Sequence, residues 1–169
     1  MPTPGSSDAT TSNLFMLGVH ETFHNLGQEG WSFKKETQRG TDYPLDPKPR
    51  IYRRMLNQRM AQYFVSLGKD KTALQQAAYW FKLWQSEYPK EAQSTTDGYE
   101  GTARYVEYLA IAYASQGCGA DDDRTIIPLF QKMLAQTYNS PQISELSLES
   151  EGYDTGSLAG FILHWIEKR

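Results

Sequence analysis

His20, Glu21 and His24 stand in the order H-E-x-x-H. On a helix, residues four apart share a face. The two imidazoles would then meet at one point, with the spacing that a tetrahedral zinc requires. Glu21, one step round, would bring a carboxylate to the metal's open position, where it can take a proton from water. The chain has three histidines and eleven glutamates among 169 residues. Shuffling that composition yields H-E-x-x-H in roughly two of a thousand chains.

Two histidines leave a catalytic zinc one protein ligand short. His164 and the carboxylates are the candidates. The segment Tyr99 to Glu107 reads Y-E-G-T-A-R-Y-V-E. Gly101 and Ala103 would let this helix pack closely on another, and close packing would bring Glu100 to a metal held on that neighbour. Arg104 and Glu107 fall on the face of Glu100, four and seven residues on. Arg104 is either a supporting partner of Glu100 or one half of a surface ion pair. Glu107 either accepts the second N–H of a ligand histidine or lies on a solvated face.

H-E-x-x-H followed on a later helix by E-G-x-A-x-Y-x-E resembles the gluzincin metallopeptidases, of which the thermolysin-like enzymes and the aminopeptidase-N group are branches. Extended through Gln28 to H-E-x-F-H-x-x-x-Q, the motif also resembles bacterial gluzincin-like proteins. The likeness covers residues 14–31 and 97–108. It implies that His20, His24 and Glu100 are zinc ligands and Glu21 the general base, acting on a peptide or protein substrate. It implies an oxyanion partner from a later helix or loop: Tyr153 first, read as standing just before the last helix, and His164 second. Both also fit as ordinary packing residues. Between His24 and Glu100 lie 75 residues, and a helical pair inserted at 51–89 accounts for that length. Only 19 residues precede His20, too few for the β-sheet that gluzincins place before this helix. The resemblance is therefore to a C-terminal helical half, alone or as part of a larger protein.

The elements that must position these groups read as helices. Residues 1–13, rich in Ser, Thr, Pro and Gly, read as a flexible leader, with Ser12 or Asn13 capping a first helix that ends at Gly27 or Gly30. Residues 36–50 read as a loop, since they hold three prolines. Helices follow over 51–67, 71–87, 98–115, 124–136 and 155–167, with irregular segments at 90–97 and 137–152. No alternating strand pattern stands out. The chain reads as all-α, with about six helices in one domain over 14–169.

Composition narrows the function. The chain is 39% hydrophobic with 13% aromatic residues, enough for a core. A net charge of −3 gives no reason to expect nucleic acid. Arg50, Arg53, Arg54 and Arg59 read as a solvated helix face. Cys118 stands alone, so any metal must be held by His and carboxylates. Asp121 to Asp123 read as a helix cap. No apolar run is long enough to span a membrane, and the Ser/Thr/Gly start fits an exported bacterial protein slightly better than a cytoplasmic one. Gln28 and Trp31 read as cleft edge or as helix end and anchor, and Trp80, Phe81 and Trp84 as a core stripe.

The expectation is a zinc-dependent hydrolase, in particular a peptidase. Two alternatives stand beside it. One is a helical interaction module of the tetratricopeptide kind, from the small-plus-aromatic packing of residues 77–81 and 109–114. The other is a zinc-binding remnant without catalysis.

Overall fold

The computed structural model describes residues 7–32, 46–92, 96–117, 119–139 and 148–167. Helices account for nearly all of them, and no strand occurs among them. They are α1 (Ser7–Thr22), continued by a π-helical turn (Phe23–Gly27), α2 (Pro47–Val65), α3 (Lys71–Glu87), the single turn α4 (Pro89–Ala92), α5 (Thr96–Gln116), α6 (Ile127–Asn139), entered through a second π-helical turn (Asp122–Ile126), and α7 (Leu148–Trp165).

The helix starts follow local chemistry. Asp46 accepts from the Lys48 backbone N–H at 2.9 Å, and Pro47 opens α2 where its missing N–H costs nothing. Asp70 caps α3 through the Ala73 N–H at 2.9 Å. Asp121 caps the second π-turn through the Arg124 N–H at 2.8 Å. After α2 the chain turns back through Leu67 and Gly68, both at positive φ, and the Gly68 N–H bonds the Tyr63 carbonyl at 2.9 Å.

α1 lies on α5, α5 on α7, α7 on α2, and α2 on α3, with α6 also against α2. The α5–α7 crossing is very close. A Cβ on Gly156 would stand 1.8 Å from the Asp97 carbonyl oxygen, and one on Gly101 would stand 2.4 Å from Gly156 Cα. Only glycine fits at either place. The core lies beside this crossing. Phe161 of α7 is fully buried and meets the rings of Phe130, Tyr105 and Phe64 at centroid distances of 4.5, 5.1 and 5.4 Å.

Several boundaries differ from those read in the sequence. α1 begins at Ser7, inside the expected leader, so neither Ser12 nor Asn13 is its cap. The expected loop 90–97 holds most of α4 and the first two residues of α5. α7 begins at Leu148, so Tyr153 lies inside it rather than before it. Cys118 and residues 33–45 fall outside the described residues.

The arginine face is also corrected. Arg53 is wholly buried and Arg50 nearly so. Arg53 grips Asp97 through two N–H donors at 2.5 and 2.6 Å, with its guanidinium 4.4 Å from the Trp84 ring centroid. Arg50 pairs with Glu91 and Glu151. Three carboxylates from α4, α5 and α7 thus neutralise what a one-helix reading assigns to solvent. In the expected Trp80–Phe81–Trp84 stripe, only Trp84 is buried; Phe81 is exposed.

Candidate metal centre

α1 carries His20 on its last turn, and the π-turn that follows carries His24. Both face the start of α5. His20 Nε2 and His24 Nε2 stand 3.0 Å apart, and Glu100 Oε2 lies 3.2 Å from the first and 3.3 Å from the second. Ligand atoms about 2.0–2.1 Å from a tetrahedral zinc stand roughly 3.3 Å from one another. The triangle therefore has the edges of one face of a zinc tetrahedron, with the fourth vertex open. These residues form a group of candidate metal-binding side chains among the described residues.

The other ring nitrogens are already engaged. His20 Nδ1–H donates to Glu107 Oε2 at 3.2 Å, and His24 Nδ1–H donates to Gln28 Oε1 at 2.8 Å. Each Nε2 is left with its lone pair turned to the common point. Two such lone pairs and a carboxylate oxygen repel one another unless a cation sits among them. A zinc ion fits that donor set. In its absence a proton serves: Glu100 and Glu107, as hydrogen-bond acceptors, push the His20 pKa up to about 9 against the opposing effect of burial. Glu100 is held below the usual carboxylate range, first by His20 and also by the Tyr153 hydroxyl.

Around this triangle the support is continuous. Gln28 is buried. While its Oε1 accepts from His24, its Nε2 donates to the Tyr99 carbonyl and to Thr102 Oγ1, each at 2.7 Å. The Tyr99 ring stacks on His24 at 4.1 Å and 13°. Arg104 Nη1 donates to Glu107 Oε1 at 2.7 Å, so Arg104 acts on Glu107 rather than on Glu100. The Tyr153 ring lies over His20 at 5.8 Å and under the Arg104 guanidinium at 5.0 Å. A cleft of about 310 Å³ opens beside His20, between Met16, Leu17 and Glu21 of α1, Arg104 of α5 and Tyr153 of α7.

No protein-family model matches this chain, and no curated protein or solved structure matches it either.

The structure places Glu21 exposed on the cleft wall, one residue after His20. It joins His20, His24, Glu100, Glu107, Arg104 and Tyr153 around one centre. It does not bring in His164. That residue lies eleven positions after Tyr153 on the same helix, roughly 16 Å along its axis, and contacts the Tyr105 hydroxyl instead. Trp31 is exposed. Gly101 packs on Gly156 of α7, not on the histidine helix. The small residue still positions Glu100, but by seating α5 on its other neighbour. Tyr99, next to Glu100, was not singled out from the sequence. Its adjacency to a candidate ligand was the only signal, because stacking on His24 depends on how α1 crosses α5.

Proposed function

We propose that this chain is a zinc-dependent hydrolase acting on peptide bonds. The observation that carries the reading is the triangle of His20, His24 and Glu100 atoms with edges of 3.0–3.3 Å, each histidine fixed by an acceptor on its far nitrogen. Zinc bound there supplies a Lewis acid that polarises a carbonyl and acidifies water. Glu21 takes the proton of the attacking water and passes it to the leaving amine. Tyr153, whose single O–H is donated to Glu100 in the metal-free site, would turn that proton to the oxygen on which negative charge grows. Glu107 and Gln28 hold the two imidazoles in the tautomer that leaves Nε2 free.

The test is metal content by mass spectrometry on untagged protein purified without chelator. About one zinc per chain is expected, lost in Glu100→Ala, with hydrolysis of a mixed peptide library abolished in Glu21→Gln while zinc is retained. Protein that takes up no zinc after adding it back overturns the reading.

A second reading is favoured by one observation. α1 exposes Leu14, Phe15 and Leu17, so its polar ties to α5 matter more to its seating than its apolar face does. Zinc would then staple α1 to α5 without catalysis. Bound zinc with no hydrolysis by the wild-type protein would decide for it.

A further inference from the structure

We propose that Arg104 anchors the C-terminal carboxylate of the substrate, making the cleft beside His20 the seat of a peptide's last residue. The inference rests on the hydrolase reading above and deepens it.

Among the described residues that line this cleft, Arg104 is the one guanidinium. It is held in place from three sides. Its Nη1 donates to Glu107, and its guanidinium carbon lies 5.0 Å from the Tyr153 ring centroid and 5.9 Å from that of Tyr108. Two aromatic contacts fix the plane of the fork before any ligand arrives. A single N–H is spent on Glu107; the remaining donors form no hydrogen bond among the described residues, and the side chain stays about one-third exposed (32%). A guanidinium with an open donor edge matches the two oxygens of a carboxylate.

The acids of the cleft exclude the opposite polarity. Glu107 has both oxygens engaged, one by His20 and one by Arg104. Glu100, which does not line the cleft, faces the two histidines. Glu21 is needed to carry a proton. No carboxylate there is spare to receive a substrate's α-ammonium group. The cleft's volume, about 310 Å³, is at the lower end for a binding pocket and suits one residue more than an extended peptide. Met16 and Leu17 form its apolar wall, which favours an aliphatic side chain next to the anchored carboxylate.

Binding is measured by calorimetry on zinc-loaded Glu21→Gln protein, which holds peptide without cutting it. The probes are acetyl-Ala-Ala-Leu with a free carboxylate, its carboxamide, and acetyl-Ala-Ala-Asp-amide, whose carboxylate is on a side chain. The free acid is expected to bind at least about tenfold more tightly than either amide. Adding Arg104→Gln should remove the difference, and Arg104→Lys should restore part of it. Zinc per chain is counted in each variant, so that a lost preference is not mistaken for a lost metal. Equal binding of acid and amide, equal binding of the aspartyl amide, or a preference that survives Arg104→Gln overturns the proposal. If the protein takes up no zinc, the hydrolase reading fails by itself. The same three probes titrated into metal-free wild-type protein then judge the anchor alone.

Discussion

Gln28 accepts the Nδ1 proton of His24 at 2.8 Å, one helical turn on, while its amide nitrogen is tied at 2.7 Å to the Tyr99 carbonyl on α5. One buried side chain thus decides which nitrogen of His24 faces Glu100 and fixes the end of α1 against the helix that carries Glu100. Neither job needs Gln28 to touch a metal.

Replacing it should therefore weaken the metal without removing a ligand. Gln28→Ala is expected to lower zinc affinity about 10–100-fold, read by competition with a chromophoric chelator, while the stoichiometry stays near one. Gln28→Glu, which keeps the acceptor and loses the amide donor, should lie between. Wild-type affinity in Gln28→Ala would show that the tautomer is set elsewhere.

The pH dependence has opposite signs with and without metal. In the metal-free protein the His20 pKa is raised from 6.5 to about 9 by Glu100 and Glu107. Its contribution to stability is fully present below about pH 6.5 and is lost as pH rises through about 9. Thermal unfolding with chelator present should thus show a falling Tm over that window. Zinc must displace the same proton, so its affinity should rise over the same range, by at most about tenfold per pH unit. The Glu100→Gln variant keeps a neutral acceptor but loses the charge, and should flatten the first trend. A Tm independent of pH from 6.5 to 9 would count against the His20–carboxylate pairing.

Much of this centre was legible because its parts are short-range. H-E-x-x-H needs only helical spacing, and the run from Glu100 to Glu107 puts three groups on one face of one helix. Helix existence was legible for the same reason, as in the expected helices 51–67 and 71–87, which match α2 and α3 to within a few residues. What failed was long-range. Arg50 and Arg53 read as solvent-facing because their partners Glu91, Asp97 and Glu151 lie 41, 44 and 101 residues away, on three other helices. Tyr153 read as a residue before a helix because Gly152 and Gly156 weaken the local helical signal. In the fold those glycines belong to the tight side of α7, and Gly156 is there because Asp97 leaves no room for a Cβ.

That contact predicts a coupling between packing and metal. In Gly156→Ala the new Cβ would meet the Asp97 carbonyl at 1.8 Å and Gly101 Cα at 2.6 Å. Both are backbone atoms, so α5 and α7 must separate, at a cost of about 1–3 kcal/mol or more. Glu100 precedes Gly101 on the displaced turn, so zinc affinity should fall as well. Gly160→Ala is the comparison. Its Cβ would meet the Tyr105 ring at 2.6 Å, one to two turns farther along α5 and on a side chain that can shift. Gly160→Ala should lower Tm with a smaller effect on zinc. Equal losses of affinity in the two variants would mean that the crossing does not set the position of Glu100.

The same turn of α5 is held from the other side by Arg53, which carries both oxygens of Asp97 three residues before Glu100. Arg53 is wholly buried, against a Trp84 ring and near Glu151, whose backbone carbonyl accepts from it at 3.3 Å. Arg53→Met removes the cation and leaves Asp97 and Glu151 without this partner. Losing one member of a fully buried pair costs about 3–5 kcal/mol; with Asp97 part-exposed the loss should fall below that, measurable by urea unfolding of the metal-free protein. Pairing it with Asp97→Asn removes the carboxylate that Arg53 grips and should recover part of the loss. The recovery separates electrostatics from packing: a double variant no more stable than Arg53→Met would place the whole effect in the lost contact with Trp84. Zinc affinity should follow the same order, because Arg53 holds the first turn of α5 three residues before Glu100.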